Sequence, residues 1–202
     1  MNKRDTVGLL ILIISAVYAV HTFGPLLSTI RPPGGSGTCY AIGGWQLRNT
    51  FAVFIDHQGV PSGINWDADI SNALSQYNSK THFSLYTITT NSLFAQLTIS
   101  FGQVDSSSEL GVASFNWDPR TGTESSATIV LDQTKPWSDN PGYIVTEYSV
   151  EHVLLHEIGH VTGLGHISQS CDDVMTPATY NGQVRTTLGT GDMAGVRAIY
   201  GA

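Results

Sequence analysis

Positive charge is scarce in this sequence of 202 residues. Lys and Arg together number nine, Asp and Glu number 16, and the formal net charge at pH 7 is -7. A protein that binds the phosphates of nucleic acids needs clustered Lys and Arg side chains, and this chain contains no basic run. The composition therefore argues against a nucleic-acid partner.

Cysteine is scarce as well, because the chain has only Cys39 and Cys171. In an exported protein these two residues could form one disulfide. Closing so long a loop stabilises a fold by on the order of 4–5 kcal/mol in the chain-entropy model. We therefore expect one Cys39–Cys171 disulfide if the chain is exported.

Charged residues are missing from the apolar run between Val7 and Val20, which follows Lys3 and Arg4. This order is typical of a targeting segment that sends the downstream chain outward. The uncharged sequence continues beyond Val20 to nearly the length that spans a bilayer. We predict that residues 1–30 are either a cleaved signal peptide or an uncleaved signal anchor. The protein would then be secreted, or held at the membrane only by that anchor and facing outward.

Pro, Gly and Ser are frequent in the segment after residue 30, which predicts a linker over residues 31–44. Residues 45–202 are long enough to bury a core, so we predict one catalytic domain and expect a monomer. Apolar residues recur at helical spacing in residues 67–78 and 192–200. Alternation and β-branched residues predict strands at 51–55, 83–89, 96–101, 111–115 and 127–131. The expected helix caps are Asn65 or Asp67, Thr146 or Ser149, and Thr190.

One motif, His-Glu-Ile-Gly-His-Val-Thr-Gly-Leu-Gly-His, begins at His156 and carries the chemistry. His156 and His160 are four residues apart, so both rings project from one face of a helix toward one metal ion. Glu157 is placed to take a proton from metal-bound water. Gly163 permits a left-handed residue that ends the helix, which lets His166 supply a third nitrogen. Three ligands leave a fourth zinc position open for water.

Other interpretations of these residues are weaker. Three histidines that point to one place are unlikely to serve only as core residues, because burying their polar nitrogens is costly. A structural zinc site usually has a fourth protein ligand, and in such a site Glu157 would have no role. His152 lies on the same helical stripe as His156, but four nitrogens from two helical turns do not readily reach one ion. We interpret His152 as a residue that either packs in the core or supports the metal ligands from behind. A Cys39 thiolate that caps the zinc in a latent form stays open.

The motif resembles the signature of the metzincin zinc metallopeptidases, and within that clan the matrixin branch (matrix metalloproteinase-like, peptidase family M10). Residues 173–177 are similar to the Met-turn, with Met175 as the hydrophobic floor beneath the metal. Pro177, in place of a tyrosine, favours the matrixin branch. Residues 191–201 are similar to the closing helix of matrixin catalytic domains, and residues 111–113 to their substrate-binding edge strand.

This resemblance implies an α+β fold of the α/β/α-like metzincin type. Its twisted, mostly parallel sheet has about five strands with an antiparallel edge strand, together with a zinc-binding helix, a Met-turn and a C-terminal helix. The implied activity is that of a zinc metalloendopeptidase in which Glu157 is the general base. Val112 and Ala113 would hold a protein or peptide substrate as an added strand. Pro177 and Tyr180 would belong to the wall of a side-chain pocket.

The sequence departs from the family pattern in several places. The cysteine-switch motif is absent, since Cys39 lies in Gly-Thr-Cys-Tyr, and residues 125–132 contain no histidine for a second, structural zinc. We therefore predict one catalytic zinc only. Asp132 and the acidic loop 105–109 could hold calcium, or could simply be solvated. Ile167 stands where matrixins commonly have a small hydroxyl residue.

Two alternatives to a general endopeptidase stay open. A maturation or autolytic peptidase would cut a single partner, and no feature of the sequence distinguishes it from a broad protease. A catalytically inactive zinc-binding adhesion module would keep the fold without the reaction. The intact Glu157 argues against the second alternative.

Overall fold

The structure is a computed structural model that describes residues 11–12, 18–19, 39–105, 108–139, 146–168, 171–179 and 184–201. The helices are α1 (Trp66–Asn78), α2 (Val150–Thr162) and α3 (Thr190–Tyr200), and one 3-10 turn covers Ser92–Phe94. The strands are β1 (Ile11–Leu12), β2 (Tyr18–Ala19), β3 (Ala41–Ile42), β4 (Phe51–Ile55), β5 (Tyr86–Thr89), β6 (Leu97–Gly102), β7 (Gly111–Asp118), β8 (Thr123–Asp132), β9 (Trp137–Ser138), β10 (Tyr148–Ser149), β11 (Leu164–Gly165) and β12 (Ala178–Thr179).

The main sheet has the strand order β2-β7-β8-β6-β4-β5. Strands β5, β4, β6 and β8 run parallel, and β7 pairs with β8 in the antiparallel direction. The predicted mostly parallel sheet with an antiparallel edge strand is therefore confirmed, with the two-residue β2 added in parallel beside β7. Alternate residues such as Val53, Ile99 and Ile129 are fully buried, as the period of two requires.

Several strand boundaries differ from the sequence prediction. The predicted strand 83–89 begins only at Tyr86, whereas those predicted at 111–115 and 127–131 extend to form β7 and β8. β7 and β8 are joined by a tight turn in which Gly122 has a φ of 66°. A hairpin extends both strands together up to its turn, so they continue past the residues of high strand propensity. A bulge lies between Asn116 and Trp117.

The helices agree closely with their predicted positions. α1 begins one residue before the prediction, and Asn65 occupies its N-cap position without a side-chain hydrogen bond. Ser149 caps α2 by accepting a hydrogen bond from the His152 backbone N–H. The predicted Thr190 cap is wrong, because Thr190 is the first residue of α3 and Gly189 occupies the N-cap position. The carboxylate of Asp192 accepts from the Gly189 N–H instead.

Residues 39–42, which the sequence places in a linker, are held against the domain. Cys39 and Cys171 form a disulfide, and β3 pairs in the antiparallel direction with β11. Within the predicted targeting segment the structure describes only β1, which pairs with β12, and β2; its other residues lie outside the described part. No described helix is long and apolar enough to cross a membrane.

Candidate metal centre

The three histidines of the motif reach one point from two elements. His156 and His160 project from successive turns of α2. Gly163 ends this helix in the left-handed region at a φ of 104°, and a methyl group on it would collide with the carbonyl oxygen of Trp45. Only glycine fits both conditions, and the chain then turns through β11 to present His166.

The imidazole Nε2 atoms of these histidines converge. Nε2 of His166 lies 3.1 Å from Nε2 of His156 and 3.1 Å from Nε2 of His160. His156 and His160 are fully buried, and His166 is partly buried. Within the described residues, no other group of three His, Cys, Asp or Glu side chains converges in this way, so His152 and Asp132 belong to no such cluster.

Hydrogen bonds on the far side of the rings fix two tautomers. His156 Nδ1 lies 2.8 Å from the carbonyl oxygen of Val174, and His160 Nδ1 lies 3.0 Å from that of Leu164. Because a carbonyl only accepts, both Nδ1 atoms carry the proton and both Nε2 atoms carry a lone pair. Burial lowers the pKa of His160 to about 3, and it lowers the pKa of His156 and His166 as well. The rings are therefore neutral at physiological pH.

This donor set fits a zinc ion. Lone pairs at such a short separation repel unless a cation lies between them. A tetrahedral zinc ion with Zn–N bonds of about 2.0–2.1 Å places its nitrogen ligands about 3.3 Å apart, close to the separations observed. Neutral imidazoles whose other nitrogen donates to a carbonyl are also the usual form of zinc-binding histidine.

Glu157 lies beside this cluster and is fully buried. A methyl group placed on Gly111 would lie 3.4 Å from Glu157 Oε1, so the carboxylate is adjacent to the first residue of β7. Ala113 is buried in the same strand, and Val112 is partly exposed. The structure therefore places the acidic side chain that follows His156 against the predicted substrate strand.

The segment after His166 packs against α2 through Met175. Met175 is buried, its carbonyl accepts a hydrogen bond from the Ile167 N–H at 3.1 Å, and its sulfur lies against Gly159 of α2. A methyl group on Gly159 would collide with that sulfur and with the hydroxyl of Tyr77. Position 159, directly before His160, must therefore hold a residue without a larger side chain.

Other predicted site residues have different outcomes. Pro177 is partly buried at the end of the segment 173–177, and Tyr180 lies outside the described residues. Cys39 is in the disulfide, so its sulfur is not a thiolate that could cap zinc. Asp132 is buried and accepts hydrogen bonds from the backbone and side chain of Thr134.

Sequence reasoning missed Asp192, which supports the site from α3. Its carboxylate accepts hydrogen bonds from the backbone N–H groups of Val174 and Met175. The only local signal was an acidic residue in the first turn of a helix, which usually indicates nothing more than a favourable helix dipole.

A model of the matrixin family of peptidases (M10) matches residues 45–201, which include the three histidines, Glu157 and Met175. The chain belongs to the matrixin family. This confirms the resemblance seen in the motif, and matrixins are zinc metallopeptidases, in agreement with the donor set.

Named metalloendoproteinases match parts of the chain. Metalloendoproteinase 5-MMP of Arabidopsis thaliana is 40% identical over 78 residues, which cover 35% of this chain and 21% of that protein. Metalloendoproteinase 4-MMP of the same plant is 33% identical over 94 residues, covering 46% of this chain and 26% of that protein. Metalloendoproteinase 1-MMP of this plant is 38% identical over 74 residues, which cover 35% of this chain and 20% of that protein. The matches thus span about a quarter or less of these relatives.

Proposed function

We propose that this matrixin is a zinc-dependent endopeptidase that hydrolyses peptide bonds of extended protein substrates. The observation that carries the proposal is the convergence of three neutral imidazole nitrogens beside the buried carboxylate of Glu157. His156, His160 and His166 would hold one catalytic zinc ion. When bound, zinc supplies a Lewis acid that polarises the scissile carbonyl and lowers the pKa of water.

Glu157 is the general base in this proposal. It follows His156 directly on α2, and its carboxylate is adjacent to Gly111 at the start of β7. A carboxylate in this place takes a proton from the attacking water and passes it to the departing amine. Burial excludes bulk water, which strengthens the electrostatic interactions within the site.

β7 is the surface that would hold the substrate. One edge of the strand pairs with β8, while on its other edge β2 pairs only with Ser114 and Phe115. Residues 111–113 therefore have no second strand partner among the described residues. An extended peptide can hydrogen-bond there as an added strand, and such pairing recognises the main chain rather than one side chain. The segment from Pro177 to Tyr180 would wall the pocket that selects a side chain.

Cysteine pairing and the N-terminal targeting prediction support an exported enzyme, because disulfides persist in oxidising compartments. Calcium binding near Asp132 is a separate proposal, which metal analysis of the purified protein can test. We expect the enzyme to act as a monomer on protein or peptide substrates.

Digestion of a diverse peptide library with the full chain tests the proposed function. Cleavage should occur with zinc, stop after treatment with phenanthroline and return when zinc is restored. Cleavage of many unrelated peptides would support a general endopeptidase, and cleavage of one protein partner alone would favour a maturation peptidase. No cleavage of any peptide or protein by zinc-loaded protein would contradict the proposal and favour an adhesion module.

A further inference from the structure

Residues 39–45, called here the N-terminal strap, lie along the loop that carries the third metal-binding histidine. β3 lies within the strap and pairs with β11, which connects the end of α2 to His166. The Gly43 N–H also donates a hydrogen bond of 2.8 Å to the carbonyl of Gly163. All but the last residue of the strap precede the region that matches the matrixin family.

The strap ends at Trp45, which contacts the metal-binding helix directly. Its indole Nε1–H donates a hydrogen bond of 2.8 Å to the carbonyl oxygen of His160. The same ring packs on Phe115 with ring centroids 4.6 Å apart, and on Trp117 at 6.1 Å. One side chain thus connects the backbone of a metal-binding residue to the predicted substrate strand.

The strap begins at Cys39, which is bonded to Cys171. Cys171 lies three residues before Val174, whose carbonyl accepts from the Nδ1 atom of His156. The carbonyl of Cys39 also lies so close to Gly191 that a methyl group there would collide with it. The disulfide therefore anchors the strap to the segment that orients His156.

One of the two carbonyls that orient the buried histidine rings belongs to a residue paired with the strap, and the other lies three residues from the strap's disulfide. Leu164, whose carbonyl accepts from His160 Nδ1, pairs with Ile42 of the strap. Val174, whose carbonyl accepts from His156 Nδ1, lies in the segment that the disulfide fixes. A change in either carbonyl position would rotate a ring and move its Nε2 lone pair away from the metal.

We propose that the N-terminal strap and its disulfide are positioning elements of the metal centre, which hold the carbonyls that orient His156 and His160. Partners of this kind behind metal-binding histidines commonly change metal affinity by about 10- to 100-fold when they are lost. The inference rests on the proposed function only in requiring that the three histidines bind zinc.

Zinc affinity of full-chain variants tests the strap. The dissociation constant would be measured by competition with a chromophoric chelator, without any assay of peptide cleavage. The double variant Cys39→Ala/Cys171→Ala should bind zinc about 10- to 100-fold more weakly than the parent. Trp45→Phe, which removes only the indole donor and keeps an aromatic ring, should weaken zinc binding toward the lower end of that range.

Trp66→Phe is the matched control. Trp66 is buried, and its indole Nε1–H donates a 2.9 Å hydrogen bond to the carbonyl of Asp56, which is not part of the metal centre. This control should lose stability and keep the parent's zinc affinity. If both strap variants bind zinc as tightly as the parent, or if Trp66→Phe weakens binding equally, the strap proposal is wrong. A parent that binds no zinc would instead contradict the proposed function.

Discussion

The carboxylate of Asp192 accepts a hydrogen bond of 2.9 Å from the backbone N–H of Val174. It also accepts from the N–H groups of Met175 at 3.2 Å and Gly189 at 2.8 Å. The carbonyl of the same Val174 accepts from Nδ1 of His156. One buried side chain at the start of α3 therefore holds the peptide that orients a metal-binding ring, although the ring belongs to another helix.

Replacing Asp192 with Ala should destabilise both the fold and the metal centre. The change leaves three backbone N–H groups without their acceptor, so we expect the free energy of unfolding to fall by about 2–4 kcal/mol. Urea denaturation of the zinc-free protein measures this loss. Asp67→Ala is the control, because Asp67 is an exposed acid in the first turn of α1 whose ion pair with His57 is worth at most about 1 kcal/mol. Equal losses in the two variants would contradict the role given to Asp192.

Gly159→Ala should destabilise the protein even though Ala favours helices over Gly by about 1 kcal/mol. The added methyl group would meet the sulfur of Met175 and the hydroxyl of Tyr77, and overpacking of this kind costs about 1–3 kcal/mol. Displacing α2 should also weaken zinc binding, because Gly159 lies between two of the metal-binding residues. Asn72→Ala, at an exposed position in α1, should be neutral or slightly stabilising. A more stable Gly159→Ala variant would show that the close approach is not needed.

Stability should fall as pH rises because of Glu124. Both of its carboxylate oxygens are buried without a hydrogen-bond partner, and burial raises its pKa from 4.5 to about 9. The folded protein therefore keeps the carboxyl protonated between these values, while the unfolded chain has released the proton. The free energy of unfolding should decrease by about 1.4 kcal/mol for each pH unit within that window, after other titrations are subtracted.

The substitution Glu124→Gln isolates this contribution. The variant should lose that part of the pH dependence, and should be more stable than the parent at pH 9 but not at pH 4. Asp118→Asn is the control, because a backbone hydrogen bond from Arg120 lowers the pKa of Asp118 at the end of β7, so its titration lies below this window and the slope should be unchanged. Parallel stability curves for the parent and Glu124→Gln, measured by urea denaturation across this pH range, would show that the carboxyl is not held neutral.

Local sequence patterns predicted the converging histidines and the positions of the helices. The spacing of His156, His160 and His166 predicted that their side chains converge, because a helix places residues four apart on one face and Gly163 ends that helix. Apolar periodicity located α1 and α3 to within two residues at each end, and the histidine motif located α2. The parallel sheet was implied by resemblance rather than by periodicity, since strands of both directions alternate in the same way.

The supporting contacts could not be predicted in this way, because they join residues far apart in the chain. Asp192 contacts the Met-turn, and Trp45 contacts His160, only after the chain has folded. The close packing of Gly159 against Met175 and Tyr77 likewise depends on the folded chain. The linker prediction likewise counted Pro and Gly but had no means of detecting that β3 pairs with β11.

Peptidase activity and zinc content of a Glu157→Gln variant test the central claim most directly. The substitution removes the proposed general base and keeps all three imidazoles and nearly the same volume. We predict that the variant retains one zinc ion per chain and the parent's fold, while its kcat/KM for a cleaved peptide falls by about 100- to 10,000-fold. His160→Ala, as the comparison, should lose the metal itself. A Glu157→Gln protein that retains zinc and cleaves peptides as fast as the parent would contradict the account.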